Sequence, residues 1–199
     1  MNKLLTLLLI ICASSVVFAG DGVTVTPMGD AFAKDYQGEE SFETSMPPAG
    51  WNRRVTNSAC AWTFSSLFPY DGNQCAYVPM DIMGEAIDEQ LSFDTSYTAT
   101  QWLHFAVKGQ KGANANLTVW VGEDLVFDFA RDWTLPFDQW GLVEIDLGET
   151  NYAGFPNVEF AWKYTGTFAP ELYLDMVGIT ESPVGADVSD WGDVKNMFR

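Results

Sequence analysis

The chain has little positive charge. It carries 10 Lys and Arg against 27 Asp and Glu, a formal net charge of −17 over 199 residues. A nucleic-acid binder needs a basic footprint to displace counterions from phosphates, and an anionic bilayer repels so acidic a chain, so both partner classes are excluded. Histidine is nearly absent. His104 is the single one, so a Ser-His-Asp triad would have to use it, and no G-x-S-x-G elbow exists to serve it. Zincin motifs are missing. Nothing repeats with a period of 20–50 residues, which excludes solenoids and propellers. Helical periodicity is scarce between residues 40 and 180. No apolar run is long enough for a spanning helix, so membrane insertion is not expected.

What the chain has in quantity is apolar surface. It is 47% hydrophobic and 15% aromatic, with eight Trp, fourteen Phe and seven Tyr. So much surface has to be buried, and the length suits one core. The first segment reads as an address. Lys3 opens it, Leu4 to Cys12 is apolar apart from Thr6, and Val17-Phe18-Ala19 offers small residues at a cleavage site. Residues 1–19 are therefore expected to be an export signal cleaved after Ala19, leaving a secreted protein. Residues 20–38 then form a linker or edge strand, 39–181 a β-sandwich, and 182–199 a C-terminal tail. Removal of the signal takes Cys12 with it. The even pair that remains, Cys60 and Cys75, predicts a disulfide in an exported chain, closing a loop worth on the order of 3 kcal/mol. Asn116-Leu117-Thr118 fits the glycosylation acceptor pattern and is read as chance.

Alternation with period two recurs along the chain. Leu103, Phe105 and Val107 share one face of residues 101–108. Segments 117–121, 125–129, 142–147, 158–164 and 172–179 alternate in the same way, with shorter candidates at 41–44, 59–64, 76–80 and 90–93. Turn signals at Asp71-Gly72, Lys111-Gly112, Gly122-Glu123 and Gly154-Phe155-Pro156 separate them. About ten short strands at this spacing predict an all-β fold, an antiparallel β-sandwich of jelly-roll type. Trp102 and His104 alternate with the aliphatic face of their strand, and Trp120 lies on the equivalent face of its own. If those strands were neighbours, Trp102, His104 and Trp120 would form an aromatic platform suited to the apolar faces of sugar rings.

Three stretches together carry a resemblance. Ser41-Phe42-Glu43 with Pro47-Pro48-Ala49-Gly50-Trp51, then Gln90-Leu91-Ser92-Phe93 with the strand at 103–107, then residues 140–147, 158–164 and 173–179 resemble the choice-of-anchor J and cleaved-adhesin domains, relatives of the MAM jelly roll. The resemblance covers roughly residues 40–180. It implies a galactose-binding-like jelly roll in secreted or surface proteins, with adhesion and the binding of proteins or glycans as the usual roles. It also implies a structural Ca²⁺ near the first and last strands, with Glu43 and Asp175 as the matching ligands. The family often has a second Asp beside the latter, where this chain has Met176. Residues 191–199 resemble short endings of some exported bacterial proteins. The sequence thus predicts a non-catalytic binding or adhesion module, glycan-directed and calcium-stabilised, whose partner is an extracellular glycan or surface protein. The rivals are a structural or matrix component acting through protein contacts, and a glycan-active enzyme built on paired carboxylates, for which Asp128 and Asp146 are strand-borne but unselected candidates.

Overall fold

A computed structural model describes residues 17–19, 22–28, 40–137 and 139–184. Most of the expected export signal, most of the segment 20–38, and the tail beyond residue 184, including Trp191–Arg199, lie outside the described residues. In chain order the strands are β1 (Val17–Ala19), β2 (Val23–Pro27), β3 (Trp51–Arg54), β4 (Thr63–Ser65), β5 (Cys75–Val78), β6 (Ile87–Thr95), β7 (Trp102–Gly109), β8 (Ala115–Val121), β9 (Asp124–Asp128), β10 (Gly141–Asp146), β11 (Val158–Gly166) and β12 (Leu172–Thr180). One short helix, α1 (Phe129–Asp132), follows β9.

The strands form two antiparallel sheets, as the alternation predicts. One has the order β1-β2-β10-β7-β12-β5-β4, the other β3-β6-β11-β8-β9. β1, at the expected cleavage point, pairs only with β2, and β2 in turn pairs with β10. Inward positions repeat every second residue. In β8 the buried set is Ala115, Leu117, Val119 and Val121, and in β7 Leu103, Phe105 and Val107 enter the shared core. Rings knit the two layers together. Trp162 stacks on Trp51 at 5.6 Å and on Phe93 at 6.0 Å, and meets Phe105 of the other sheet edge-on at 5.7 Å. Each such pair adds about 0.5–1.5 kcal/mol to the burial of its surface.

The last strand is irregular where it matters. β12 follows β7 up to Asp175, shifts register, and resumes at Gly178, with Met176 at φ 51°. A bulge of this kind re-aims side chains. Beyond the end of β5 its neighbour becomes Glu40, which exchanges two backbone hydrogen bonds with Val177. The strand expected at 41–44 does not form, the one bridge lying just before it at Glu40, and Phe42 turns away at φ 57° to bury its ring. A second apolar layer covers part of the outer face of the seven-stranded sheet. Met28, Ala106, Leu142, Met176 and Val184 form it, with Tyr70 and Trp140 packed against it.

The expected Cys60–Cys75 disulfide is not formed, and both thiols are free and buried. Register explains why. Ser65 faces Cys75 and Thr63 faces Tyr77, so Cys60, which precedes Thr63, lies beyond the opposite end of this ladder. The surroundings of the two thiols differ as well. Burial, with Asp81, Glu89 and Glu85 nearby, pushes the Cys60 thiol up. Burial next to Asp175 and Glu43 pushes Cys75 up to about 12, and its S–H donates to the Ser65 carbonyl at 3.5 Å. Both thiols should react with Ellman's reagent only after denaturation, and the intact mass should show no loss of two hydrogens. Fast native labelling, or an oxidised mass, contradicts this arrangement.

Candidate functional site

The residues expected to form the aromatic platform are not brought together. Trp102 and His104 lie on β7 of the seven-stranded sheet, and Trp120 lies on β8 of the five-stranded sheet. All three point away from the shared core, so they face opposite sides of the sandwich. His104 is buried, facing Glu144 on β10 across the ladder. Trp120 lies half-buried on the outer face of its sheet. Its indole N–H donates to Thr118 Oγ1 at 2.9 Å, and Lys163 Nζ sits 4.9 Å from the ring centre. Asp128 and Asp146 lie on strands of different sheets, and each caps a helical turn. Asp128 accepts the Ala130 and Arg131 amides, and Asp146 accepts the Gly148 amide.

Glu43 and Asp175 do converge, on the loop 66–74 between β4 and β5. Asp175 is fully buried, yet it lies on the outer face of its sheet, beneath this loop. Its Oδ2 accepts the Tyr70 and Asp71 amides at 2.9 and 3.0 Å, and its Oδ1 accepts the Met176 amide at 2.9 Å. Glu43 Oε1 accepts the Asn73 and Gln74 amides at 2.7 and 2.8 Å. Calcium takes six to eight oxygen ligands at about 2.3–2.6 Å. The donor chemistry here is different: amide N–H groups, whose positive ends repel a cation, occupy the facing lone pairs. Among the described residues no group of three or more His, Cys, Asp or Glu is placed to hold a metal ion.

A cleft opens beside that loop. Across β7, β12 and β5, the residues Lys108, Tyr173 and Tyr77 stand opposite one another in register and project from the outer face of the sheet. The two phenol rings stack at 4.8 Å. Burial, reinforced by the neighbouring Glu171 carboxylate, pushes both hydroxyls up. Phe68, from the 66–74 loop, meets Tyr173 edge-on at 5.6 Å, with Lys108 Nζ 4.3 Å from its own ring centre. Met80 and Phe137 close the far side, and Gly109 and Pro170 complete the lining of a cleft of about 300 Å³. Three of its wall side chains are exposed apolar groups: Phe68 at 46%, Met80 at 56% and Phe137 at 64%. Lys108, Gln110 and Glu171 supply the polar groups.

A larger groove, of about 560 Å³, lies between 123–126 and 145–151. Its walls hold Glu123, Asp124, Asp146 and Glu149 but no aromatic ring, and Asp124 is engaged by the Asn151 side chain and amide. The smaller cleft is therefore the better-formed ligand site: aromatic walls, few polar groups, and strands to hold them.

No family model matches the sequence, and no curated protein is similar to it. Solved structures do share the fold. The K2 cleaved adhesin domain of Lys-gingipain is 16% identical with a TM-score of 0.52, over 71% of this chain and 96% of that one. The K1 domain of Lys-gingipain from Porphyromonas gingivalis W83 is 18% identical, TM-score 0.49, over 73% and 98%. The carbohydrate-binding module TmCBM61, solved with β-1,4-galactotriose, is 15% identical, TM-score 0.48, over 67% and 90%. At these identities the likeness is one of fold alone, an antiparallel jelly-roll sandwich. No helix among the described residues is long and apolar enough to cross a membrane.

Asp175 gives a test of this geometry in solution. Burial, opposed by its three amide bonds and reinforced by the Asp71 carboxylate, pushes its carboxyl up to about 7. The folded state then holds a proton that the unfolded chain releases at lower pH. The group's contribution to stability is greatest in acid and is lost as the pH rises through about 7. The melting temperature should fall between about pH 4 and pH 7, and Asp175→Asn should flatten that part of the profile. A profile identical in both proteins counts against a buried Asp175.

Proposed function

We propose that this protein is a non-catalytic binding module acting outside the cytoplasm, and that it takes glycans in the cleft bounded by Phe68, Met80, Phe137 and Tyr173. The supporting observation is the cleft itself. The Tyr173 phenol, backed by Tyr77, and the exposed phenyl rings offer flat apolar faces, and Lys108, Gln110 and Glu171 stand within the same small space to meet hydroxyl groups. Sugar rings have that split character, apolar on their C–H faces and polar at their rims. Membership of the choice-of-anchor J and cleaved-adhesin group, suggested by the Pro47–Trp51 opening and the closing strand, belongs to this reading, as does export through the N-terminal signal.

A second reading has its own support. Ile82, Met83 and Phe168 are exposed close to Met80. Asp81 ties the two loops that carry them, accepting the Met83 and Phe168 amides at 2.9 and 3.0 Å. Exposed apolar groups gathered in this way suit a surface-protein partner.

Affinity electrophoresis through gels containing a panel of soluble β-glycans separates these readings. Retardation by at least one polysaccharide is expected. Phe137→Ala and Phe68→Ala, both at exposed positions, should weaken it roughly tenfold, about 1.4 kcal/mol, and Trp120→Ala should leave it unchanged. Loss in Trp120→Ala alone moves the site to the opposite sheet. Absence of retardation, with Ile82→Asp abolishing self-association or capture of a surface protein, favours the second reading.

A further inference from the structure

The two carboxylates expected to ligate calcium do other work in this geometry, and that work reaches the cleft. Loop 66–74 has no strand to hold it, yet four of its amides are taken: Tyr70 and Asp71 by Asp175, Asn73 and Gln74 by Glu43. Gly72, between the two pairs, sits at φ +62°, and a Cβ there would strike the Glu43 carboxylate, so the loop closes around that side chain only with glycine at this position. Phe68 lies two residues before the first clamped amide. It reaches Tyr173 and Lys108 because the loop is drawn down across the sheet. Both anchors are themselves fixed. Asp175 stands at the bulge of β12, and the chain before Glu43 is bound to Val177 through Glu40.

We propose that Glu43 and Asp175 are positioning residues, a metal-free carboxylate clamp that sets the Phe68 wall of the cleft. This role rests on the reading of the cleft as a ligand site, whereas the clamp does not. A neutral amide separates clamp from cation site. Glutamine at position 43 keeps an oxygen able to accept the Asn73 and Gln74 amides, but it removes the charge that a hard cation needs.

The test uses the whole secreted chain with Glu43→Ala and Glu43→Gln. In the wild type the Asn73 and Gln74 amides should exchange slowly with deuterium. Glu43→Ala should raise their exchange at least tenfold, reduce the near-ultraviolet dichroism of the coupled Phe68, Tyr77 and Tyr173 rings, and weaken glycan retardation, while far-ultraviolet dichroism is retained. Glu43→Gln should restore most of all three. Millimolar CaCl₂ and EDTA should leave the wild-type melting temperature unchanged. A Glu43→Gln variant as damaged as Glu43→Ala, with Ca²⁺ raising the wild-type melt, overturns the proposal in favour of a cation site. Exchange at Asn73 and Gln74 indifferent to Glu43→Ala overturns it too. If the exchange and dichroism behave as expected while retardation ignores both Phe137→Ala and Glu43→Ala, the positioning role is overturned through the ligand reading alone.

Discussion

A carboxyl group buried on the outer face of a sheet must be met by donors, and here the donors come from a loop. Its own strand meets Asp175 with one donor, the Met176 amide at Oδ1, which leaves Oδ2 to be met from elsewhere. The chain answers by folding residues 66–74 across the sheet so that their amides point inward. Much of the molecule's distinctive surface follows from that contact. The loop carries Tyr70 to Trp140, where the rings meet at 5.9 Å, and Phe68 to Tyr173. Asp175 faces the loop by the same alternation that turns Tyr173 outward, and the irregularity after it lies where Glu40 takes up the edge that β5 leaves open.

The cleft combines a rigid wall with an adjustable one. Lys108, Tyr173 and Tyr77 stand on three neighbouring strands whose inward side chains are locked in the aromatic core. Phe68, Met80 and Phe137 stand on connections. Such a division suits a binding module: strands fix the floor, and loops decide what fits. The strong acidity of the chain helps keep a surface with exposed Phe, Met and Ile soluble by repulsion between copies.

Much of the fold was legible in the sequence because a side chain's inward or outward direction is a local property. Leu103, Phe105 and Val107 enter the core as their alternation requires. What parity cannot give is which strands are neighbours. Trp102 and Trp120 share an outward parity, yet they sit on different sheets, so the aromatic platform dissolves. Cysteine counting failed for the same reason, because an even number says nothing about how far apart a ladder's register carries two thiols. The resemblance singled out Glu43 and Asp175, but not that both would accept amides of the 66–74 loop, a segment read only as a turn. Tyr77, Lys108 and Tyr173 also carried an outward-parity signal. Their gathering into a row needed the order β7-β12-β5, which no spacing discloses.

The most direct measurement is an amide-resolved ¹H–¹⁵N titration of the protein with soluble β-linked oligosaccharides. Perturbations confined to Phe68, Tyr77, Lys108 to Gln110, Phe137, Glu171 and Tyr173 are the expected result. Perturbations centred on Trp120 and Lys163, or on the acidic groove at 145–151, contradict the assignment of ligand binding to the cleft beside the carboxylate-held loop.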